Sequence, residues 1–403
     1  MLASNGISRF VNKTAALRFK GRGLSFHLSH ALFSSFDIDE GSRLLLKTLA
    51  QNVDLEAVRS VLDIGCGVGV IGAAVAAHAP SAAILLQDRD ALAAAVAEEN
   101  CRLNRLDHVE VRCALAFHGL AGRTFDLVAS NLPAKAGKPV LQSFLRHAAG
   151  CLSATGIAAV VIVAPLASFA RETLDALRCR VVHVEATRAY TVIHFGAGQA
   201  VAETDAERED MSPYIRTSAD FSTGSSAYSL RTAHSLPDFD TLGYAVKLSL
   251  DVLADAASAR TVLVWNPGQG HLPVGLLAQR GRAISSLSIA GRDSLECAIS
   301  ALNLSSMGRP SARVTALASE ADLAAAFPEG SFDLIVAAPR PIPRVPWQAD
   351  LAAAAELLLK KGGELFVVGS STDLHRFLEQ PTSFHAKTSR KRYGFRAVIQ
   401  RKP

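Results

Sequence analysis

Residues 60–72, SVLDIGCGVGVIG, open as an apolar strand, pass through closely spaced glycines and continue into small apolar residues that read as the start of a helix. A strand, a glycine turn and a helix in that order let the backbone approach a ligand closely at the strand's carboxyl end. A nucleotide-like cofactor is implied. Gly67, Gly69 and Gly72 also fit the dinucleotide spacing G-x-G-x-x-G, with Asp88 following as a ribose partner should. By itself the turn leaves three readings open: a dinucleotide, another nucleotide-like cofactor, or a purely structural turn.

Working outward, the chain matches itself at a shift of about 202 residues. SVLDIGCGVG (60–69) faces TVLVWNPGQG (261–270), and LSFHLSHALFSSFDIDEGSRLLLKTLA (24–50) faces AYSLRTAHSLPDFDTLGYAVKLSLDVLA (227–254). DRDALAAAVAEEN (88–100) faces GRDSLECAISALN (291–303), and FDLVASNLP (125–133) faces FDLIVAAPR (332–340), in unchanged order. A length of 403 residues already leans toward two domains. The expected organisation is a first domain over 1–198, an acidic linker over 199–211 and a related second domain over 212–403.

In each half, short Val/Ile/Leu runs alternate with alanine-rich stretches, which argues for an α/β fold of parallel strands covered by helices on both faces. SVLDIG, AAILLQD, VEVRC, FDLVASN and IAAVVIV read as strands of one open sheet. Alternation over about 15–30 reads as a leading hairpin, with Gly23 near its reversal. The first 36 residues carry Arg9, Lys13, Arg18, Lys20 and Arg22 and no acid, superficially like a transit peptide. A folded hairpin is preferred, because the second half begins with an alternating segment of its own.

With 49% hydrophobic and 20% charged residues, the composition is that of a folded chain with a sizeable interior. No apolar run reaches the roughly 20 residues needed to span a bilayer. Six cysteines without a CxxC spacing argue for a reducing, cytoplasmic compartment, and a net charge of +5 permits a polyanionic partner without demanding one.

Two features favour S-adenosylmethionine over NAD. Asp63, two positions before Gly65, can accept from an amino-acid ammonium that NAD lacks, and SNLP follows the fourth strand. Gly65, Gly67 and Gly69 would form the cofactor loop. Asp88 would take the ribose hydroxyls, with a helix N-cap for ALAAAVAEEN as its structural alternative.

Together, DIGCGVG, Asp88, ENCRLNRL (99–106), ALFSSFDIDEGSRLLLKTL (31–49) and the Asn-x-Pro loop resemble the small-domain group of class I S-adenosylmethionine (SAM)-dependent methyltransferases. The closest resemblance is to tandem-domain ribosomal RNA guanine-N2 methyltransferases of the RsmC/RlmG type. It implies two tandem Rossmann-like domains, the second degenerate, with SAM as cofactor and no metal. It also places Phe33, Ser34, Asp39 and Ser42 beside the cofactor, against the alternative that Asp39 or Ser42 caps a helix. The order of intact and degenerate domains is reversed from that of the small-subunit enzyme.

In that family an Asn side-chain oxygen and the next backbone carbonyl hold the hydrogens of an exocyclic amine and aim its nitrogen at the methyl group. In SNLPAKAGKPV (130–140) the resemblance assigns this work to Asn131, Leu132 and Pro133. Leu132 replaces a proline, which is expected to loosen the turn. Ala134 replaces the usual aromatic stacking surface. Lys135 and Lys138 are candidates for phosphate contact or simply solvated loop lysines.

In the second half Val264, Asn266, Gly291 and Ala338 stand where Asp63, Gly65, Asp88 and Asn131 stand in the first. Its expected role is binding. HAKTSRKRYGFRAVIQRKP (385–403) offers Arg390, Lys391, Arg392 and Tyr393 for RNA, with a solvated terminal hairpin as the alternative. The leading expectation is methylation of guanine N2 in ribosomal RNA, with that RNA or a ribosomal subunit as partner. Two rivals stand beside it, a protein glutamine-amide methyltransferase and a non-catalytic RNA-binding or assembly protein. A nicotinamide oxidoreductase stands further off.

Overall fold

The structure, a computed structural model, describes residues 4–33, 35–198, 208–223, 226–238, 240–281, 283–309, 311 and 313–403. The chain divides into two units, Met1–Tyr214 and Ile215–Pro403. Of the expected linker, 199–207 lies outside the described residues, and 208–214 packs with the first unit. The Arg208 guanidinium is buried there, donating to the carbonyls of Leu120 (2.6 Å), Arg123 and Gly150 (both 3.3 Å). Three carbonyls on one guanidinium hold this end of the segment to the unit, so the division falls after Tyr214 rather than near 211.

The first unit opens with a hairpin, β1 (Lys13–Phe19) and β2 (Arg22–Leu28). Its reversal lies at Lys20–Gly21 rather than at Gly23. Both residues have positive φ (43° and 83°), the two-residue turn whose twist suits a hairpin. There follow β3 (Ser60–Ile64), β4 (Ala83–Asp88), β5 (Val109–Cys113), β6 (Phe125–Asn131), β7 (Leu152–Val163), β8 (Cys179–Ala186) and β9 (Tyr190–Gly198). The sheet order is β5-β4-β3-β6-β7-β9-β8. The first five strands are parallel; β9 joins β7 antiparallel and β8 closes the edge. The five strands read from the sequence are the five parallel ones; β8 and β9 were not foreseen. Between β3 and β6 the chain order reverses, which opens a crevice at their carboxyl ends.

The second unit repeats this plan with a hairpin of β10 (Ile215–Thr223) and β11 (Ser226–Ala233). Its sheet contains β12 (Thr261–Trp265), β13 (Ser286–Gly291), β14 (Arg313–Ala316), β15 (Phe332–Ala337), β16 (Leu359–Ser370), β17 (His385–Arg392) and β18 (Phe395–Arg401). The order is β14-β13-β12-β15-β16-β18-β17. In each unit the central strands are buried on both faces, with Val61, Leu62, Leu127 and Val128 in one and Val262, Leu263, Ile335 and Val336 in the other.

Matching polar anchors explain which sequence identities persist. Asp126 Oδ2 accepts from the N–H groups of Arg59 and Ser60, and Asp333 Oδ2 from those of Arg260 and Thr261, pinning the start of β3 and of β12. Asn100 bonds both backbone groups of His27 (2.7 and 3.1 Å) and the carbonyl of Val68 (2.9 Å). Asn303 does the same for Arg231 and Gln269. Each leading hairpin is thus fastened to the helix that follows β4 or β13 by a buried asparagine, joined in the first unit by Asn104, which bonds both backbone groups of Ser25 (2.9 and 2.7 Å). Asn100→Ala leaves buried backbone groups unsatisfied and is expected to cost about 1–3 kcal/mol. Urea unfolding should show it as a lower midpoint for the first unit; an unchanged midpoint refutes the anchor.

Candidate active site

The loop after β3 divides its glycines between two tasks. Gly65, Gly67 and Gly69 all have positive φ (68°, 56° and 85°). A Cβ on Gly65 or Gly67 would meet nothing within 4 Å, so these two face open space. One on Gly69 would lie 3.1 Å from Ala97 and Leu86, and one on Gly72 would lie 2.6 Å from Leu86. The last two glycines therefore serve packing, while the first two leave room for a ligand against bare backbone.

Asp63 lies fully buried beneath this loop. Its Oδ2 accepts from Gly72 N–H at 2.7 Å, and its Oδ1 has no hydrogen-bond partner. Burial pushes its pKa up to about 7. Besides the role expected from the sequence, Asp63 supports the loop through Gly72, and one of its oxygens is left without a partner. Asp88 ends β4 half-buried, its oxygens accepting from Gly67 N–H and Asp90 N–H, each at 2.8 Å. Burial raises its pKa to about 6. The helix Ala91–Leu103 is capped by Asp90, which accepts from Leu92 N–H, so the N-cap alternative for Asp88 falls to its neighbour. Each Asp88 oxygen keeps a further lone pair for hydroxyl donors. A bare-backbone cradle, a partnerless buried oxygen and a half-exposed carboxylate together fit SAM.

Asn131 ends β6 across the crevice. Its Nδ2 donates to Asp39 Oδ2 (2.8 Å) and Ser42 Oγ (3.2 Å). Because the Asp39 carboxylate accepts only, it fixes which end of the amide faces it. Asp39 also caps the helix Glu40–Asn52, accepting from Ser42 N–H at 3.1 Å, and accepts from Tyr190 Oη at 3.2 Å. Asp39 and Ser42 are thus brought to Asn131, with the capping alternative realised at the same time. Gly41 must be small, since a Cβ there would lie 2.8 Å from Asp39 and 3.1 Å from the Tyr190 ring. Sequence reading missed Tyr190, whose place depends on β9 pairing with β7, where it stands opposite Val163.

Leu132 corrects another expectation. Its N–H donates to Val161 carbonyl at 2.9 Å and its side chain is buried, so the loop is anchored where a proline could not donate. Pro133 is exposed and its carbonyl accepts from Ala136 N–H. Ala134 and Lys135 are exposed, and Lys138 Nζ stands 5.4 Å from the Phe169 ring centroid. Phe33 and Phe36 are largely exposed, Phe36 lining an open cleft with Asp37, Ile38 and Asp39. Ser34 lies outside the described residues.

In the second unit the equivalent positions are closed by the chain itself. Gly268 N–H donates to Glu296 Oε2 (3.1 Å), the place taken by Asp88 in the first unit, and buried Glu296 pairs with Arg340. Asn266 Nδ2 donates to Ala338 carbonyl at 3.3 Å. Arg390, Lys391, Arg392 and Tyr393 gather at the β17–β18 turn, as expected. Arg390 pairs with Asp255 (2.7 Å) and Arg392 with Asp251 (3.7 Å), while Tyr393 lies 4.4 Å from the Tyr244 ring.

Residues 23–194 match the family described as methyltransferase small domain. The chain is 28% identical over 183 residues to the uncharacterized protein YbxB of Bacillus subtilis, spanning 45% of this chain and 90% of that one. It is 38% identical over 111 residues to ribosomal RNA small subunit methyltransferase C of Salmonella choleraesuis, spanning 28% and 31% of the two chains. The match thus covers under a third of that relative's length. A solved structure of the T. thermophilus 16S rRNA N2 G1207 methyltransferase, in complex with AdoMet and guanosine, superposes with a TM-score of 0.65. It covers 98% of this chain and 99% of that one at 18% identity, so the likeness in fold extends through both units.

The raised Asp63 pKa has a thermodynamic consequence. Folded protein holds this proton to about pH 7, whereas the unfolded chain releases it near 3.8, so the folded state binds more protons in between. Stability of the ligand-free protein is therefore expected to fall as pH rises from about 4 to 7. Asp63→Asn should flatten most of that fall in melting temperatures recorded across the range, leaving the smaller part due to Asp88. An unchanged slope would contradict the assignment.

Proposed function

We propose, from the methyltransferase small domain at residues 23–194, that this chain transfers a methyl group from SAM to the exocyclic N2 of guanine in ribosomal RNA. The observation that carries this reading is the held amide of Asn131. Its Nδ2 has two acceptors, Asp39 and Ser42, which leaves Oδ1 as the group available to accept from a substrate amine. The names of the methyltransferase C relatives, and the guanosine-bound structure sharing the fold, support guanine in ribosomal RNA as the target.

The loop Gly65–Gly69 and Asp88 would hold the cofactor, and SAM, when bound, supplies an electrophilic methyl group on a sulfonium that is already a good leaving group. What remains for the protein is alignment. An exocyclic amine is a poor nucleophile because its lone pair is delocalised into the ring. Asn131 Oδ1 and the Leu132 carbonyl would accept its two hydrogens and fix the direction in which its nitrogen points. The Leu132 N–H bond to Val161 fixes the peptide that immediately precedes that carbonyl. Asp39, Ser42 and Tyr190 act one step behind, as positioning residues. Ribosomal RNA or an assembled subunit in the cytoplasm is the partner this reading entails. Among the described residues no helix is long and apolar enough to cross a membrane.

The test is methyl-labelled SAM offered separately with ribosomes, isolated subunits and free ribosomal RNA, followed by nucleoside digestion. Label in N2-methylguanosine is expected, reduced about 100-fold or more in Asn131→Ala with SAM binding retained. Label confined to protein glutamine would select the rival amide substrate. RNA binding without any transfer would select a retired site.

Asp39→Ala separates positioning from cofactor contact. It should lower kcat by about 10- to 100-fold with little change in SAM affinity by calorimetry. Loss of SAM binding at unchanged kcat would return Asp39 to the cofactor-contact role that the family resemblance suggests.

A further inference from the structure

The basic leading segment, Arg9 to Arg22, has no part in the site described above, yet it is ordered into a hairpin with a distinctive outer face. Thr14, Ala16 and Arg18 of β1 are exposed there, opposite His27, Ser25 and Gly23 of β2, with Lys20 at the turn. The inward residues Ala15, Leu17, Phe19, Leu24, Phe26 and Leu28 are buried. Between the cations the side chains are small, so the face is flat. No acidic residue occurs before Asp37. No hydrogen bond or ion pair engages Arg18 or Lys20 among the described residues, whereas Lys13 donates to the Phe36 carbonyl and Arg22 to that of Ala77.

The hairpin of the second unit serves as an internal comparison. It shares the fold and the asparagine anchor, but its exposed face carries Asp220, bonded to Ser229 Oγ at 2.6 Å. Its Arg216 is paired with Asp240 at 2.7 Å. Anchoring a hairpin therefore requires neither unpaired cations nor an absence of acids. Those features belong to the first hairpin alone.

The two ends of the hairpin are held differently. Asn12 Nδ2 donates to the Ser35 carbonyl and Lys13 Nζ to the Phe36 carbonyl, each at 2.8 Å, tying the foot of the hairpin to the loop before Asp39. Asp39 in turn holds Asn131. The foot of the hairpin is thus joined to the site through one short loop, while the turn end, which carries Arg18 and Lys20, is held at Ala77 and His78 after the helix Val70–Ala76.

We propose that the outer face of the β1–β2 hairpin is a docking surface for the phosphate backbone of the substrate RNA, with Arg18 and Lys20 as its phosphate contacts. The proposal rests on the RNA-methyltransferase reading above. Phosphate contacts set register and orientation without reading sequence, and each released counterion contributes to the salt dependence of binding.

The test uses the full chain and filter binding of ribosomal RNA without SAM over a range of salt concentrations. Arg18→Gln/Lys20→Gln is expected to weaken binding about tenfold at moderate salt and to lower the log–log salt slope by about 1.4–1.8. SAM affinity and the transfer rate at saturating RNA should stay at wild-type levels, and Arg18→Lys/Lys20→Arg should restore binding. Arg178→Gln/Arg188→Gln removes the same charge outside the hairpin. An unchanged slope in the hairpin variant, or an equal loss in this control, overturns the proposal. So does a loss seen only with assembled subunits, which would indicate an acidic protein surface instead. Because binding is read without SAM, wild-type protein that binds RNA but transfers no methyl sinks the catalytic reading and leaves the hairpin test standing. Wild-type protein that binds no RNA sinks both.

Discussion

A single carboxylate, that of Asp39, holds together parts of the first unit distant in sequence. It caps the helix Glu40–Asn52, accepts one hydrogen of the Asn131 amide at the end of β6, and accepts from Tyr190 on β9. The cap and the Tyr190 bond fix the carboxylate, and the carboxylate fixes the Asn131 amide. It does so because an ionised carboxylate can only accept and therefore dictates which end of the amide faces it. Charge-assisted bonds of this kind are also stronger than neutral ones. The loop that follows is in turn held by the N–H of Leu132 on β7. The substrate side of the crevice is thereby built on secondary structure, although the residues that would touch an amine sit in a loop.

The two units show what this fold requires and what a ligand requires. Asp126 and Asp333, Asn100 and Asn303, Asp90 and Asp293, and Gly69 and Gly270 recur with matching bonds or matching positive φ. These are the supports of strand starts, hairpins, helix caps and the loop-to-helix turn. Asp63, Asp88 and Asn131 have no chemical equivalents in the second unit. There Glu296 accepts the loop N–H that Asp88 accepts in the first, and Arg340 compensates the buried Glu296. An internal ion pair stands where a ligand would.

Much of this was legible in the sequence for a physical reason. Parallel strands buried on both faces appear as short apolar runs, and the glycine turn needs its glycines at fixed places, so the tandem plan, the parallel strands and the glycine turn could all be read directly. Antiparallel strands were harder. β8 alternates exposed and half-buried residues, and Tyr190 carries no motif, so its approach to Asp39 depends on a pairing that only the folded sheet shows. Leu132 was recognised as a position but given the wrong physical setting, and the bond from Gly72 N–H to Asp63 was not foreseen. Sequence shows that an aspartate precedes a glycine, but not that it lies beneath the loop. A missing proline likewise suggests lost rigidity until its N–H is found donating to Val161. The Asp88 and Asp90 pair was ambiguous for the same reason, two carboxylates close enough in sequence that only hydrogen bonds assign the cap.

The last strand to join the second sheet, β17, is its outer edge, and its sequence HAKTSRKR places cations along nearly the whole length. An open edge offers unpaired backbone groups to any other strand that comes near. Here Lys387, Arg390 and Arg392 pair with Glu364, Asp255 and Asp251, so a strand that approaches the edge meets long charged side chains tied to their own unit before any backbone bond can form. Whatever else the terminal cations contact, they also protect the chain from self-association as an extended sheet, and that protection weakens as salt screens the pairs.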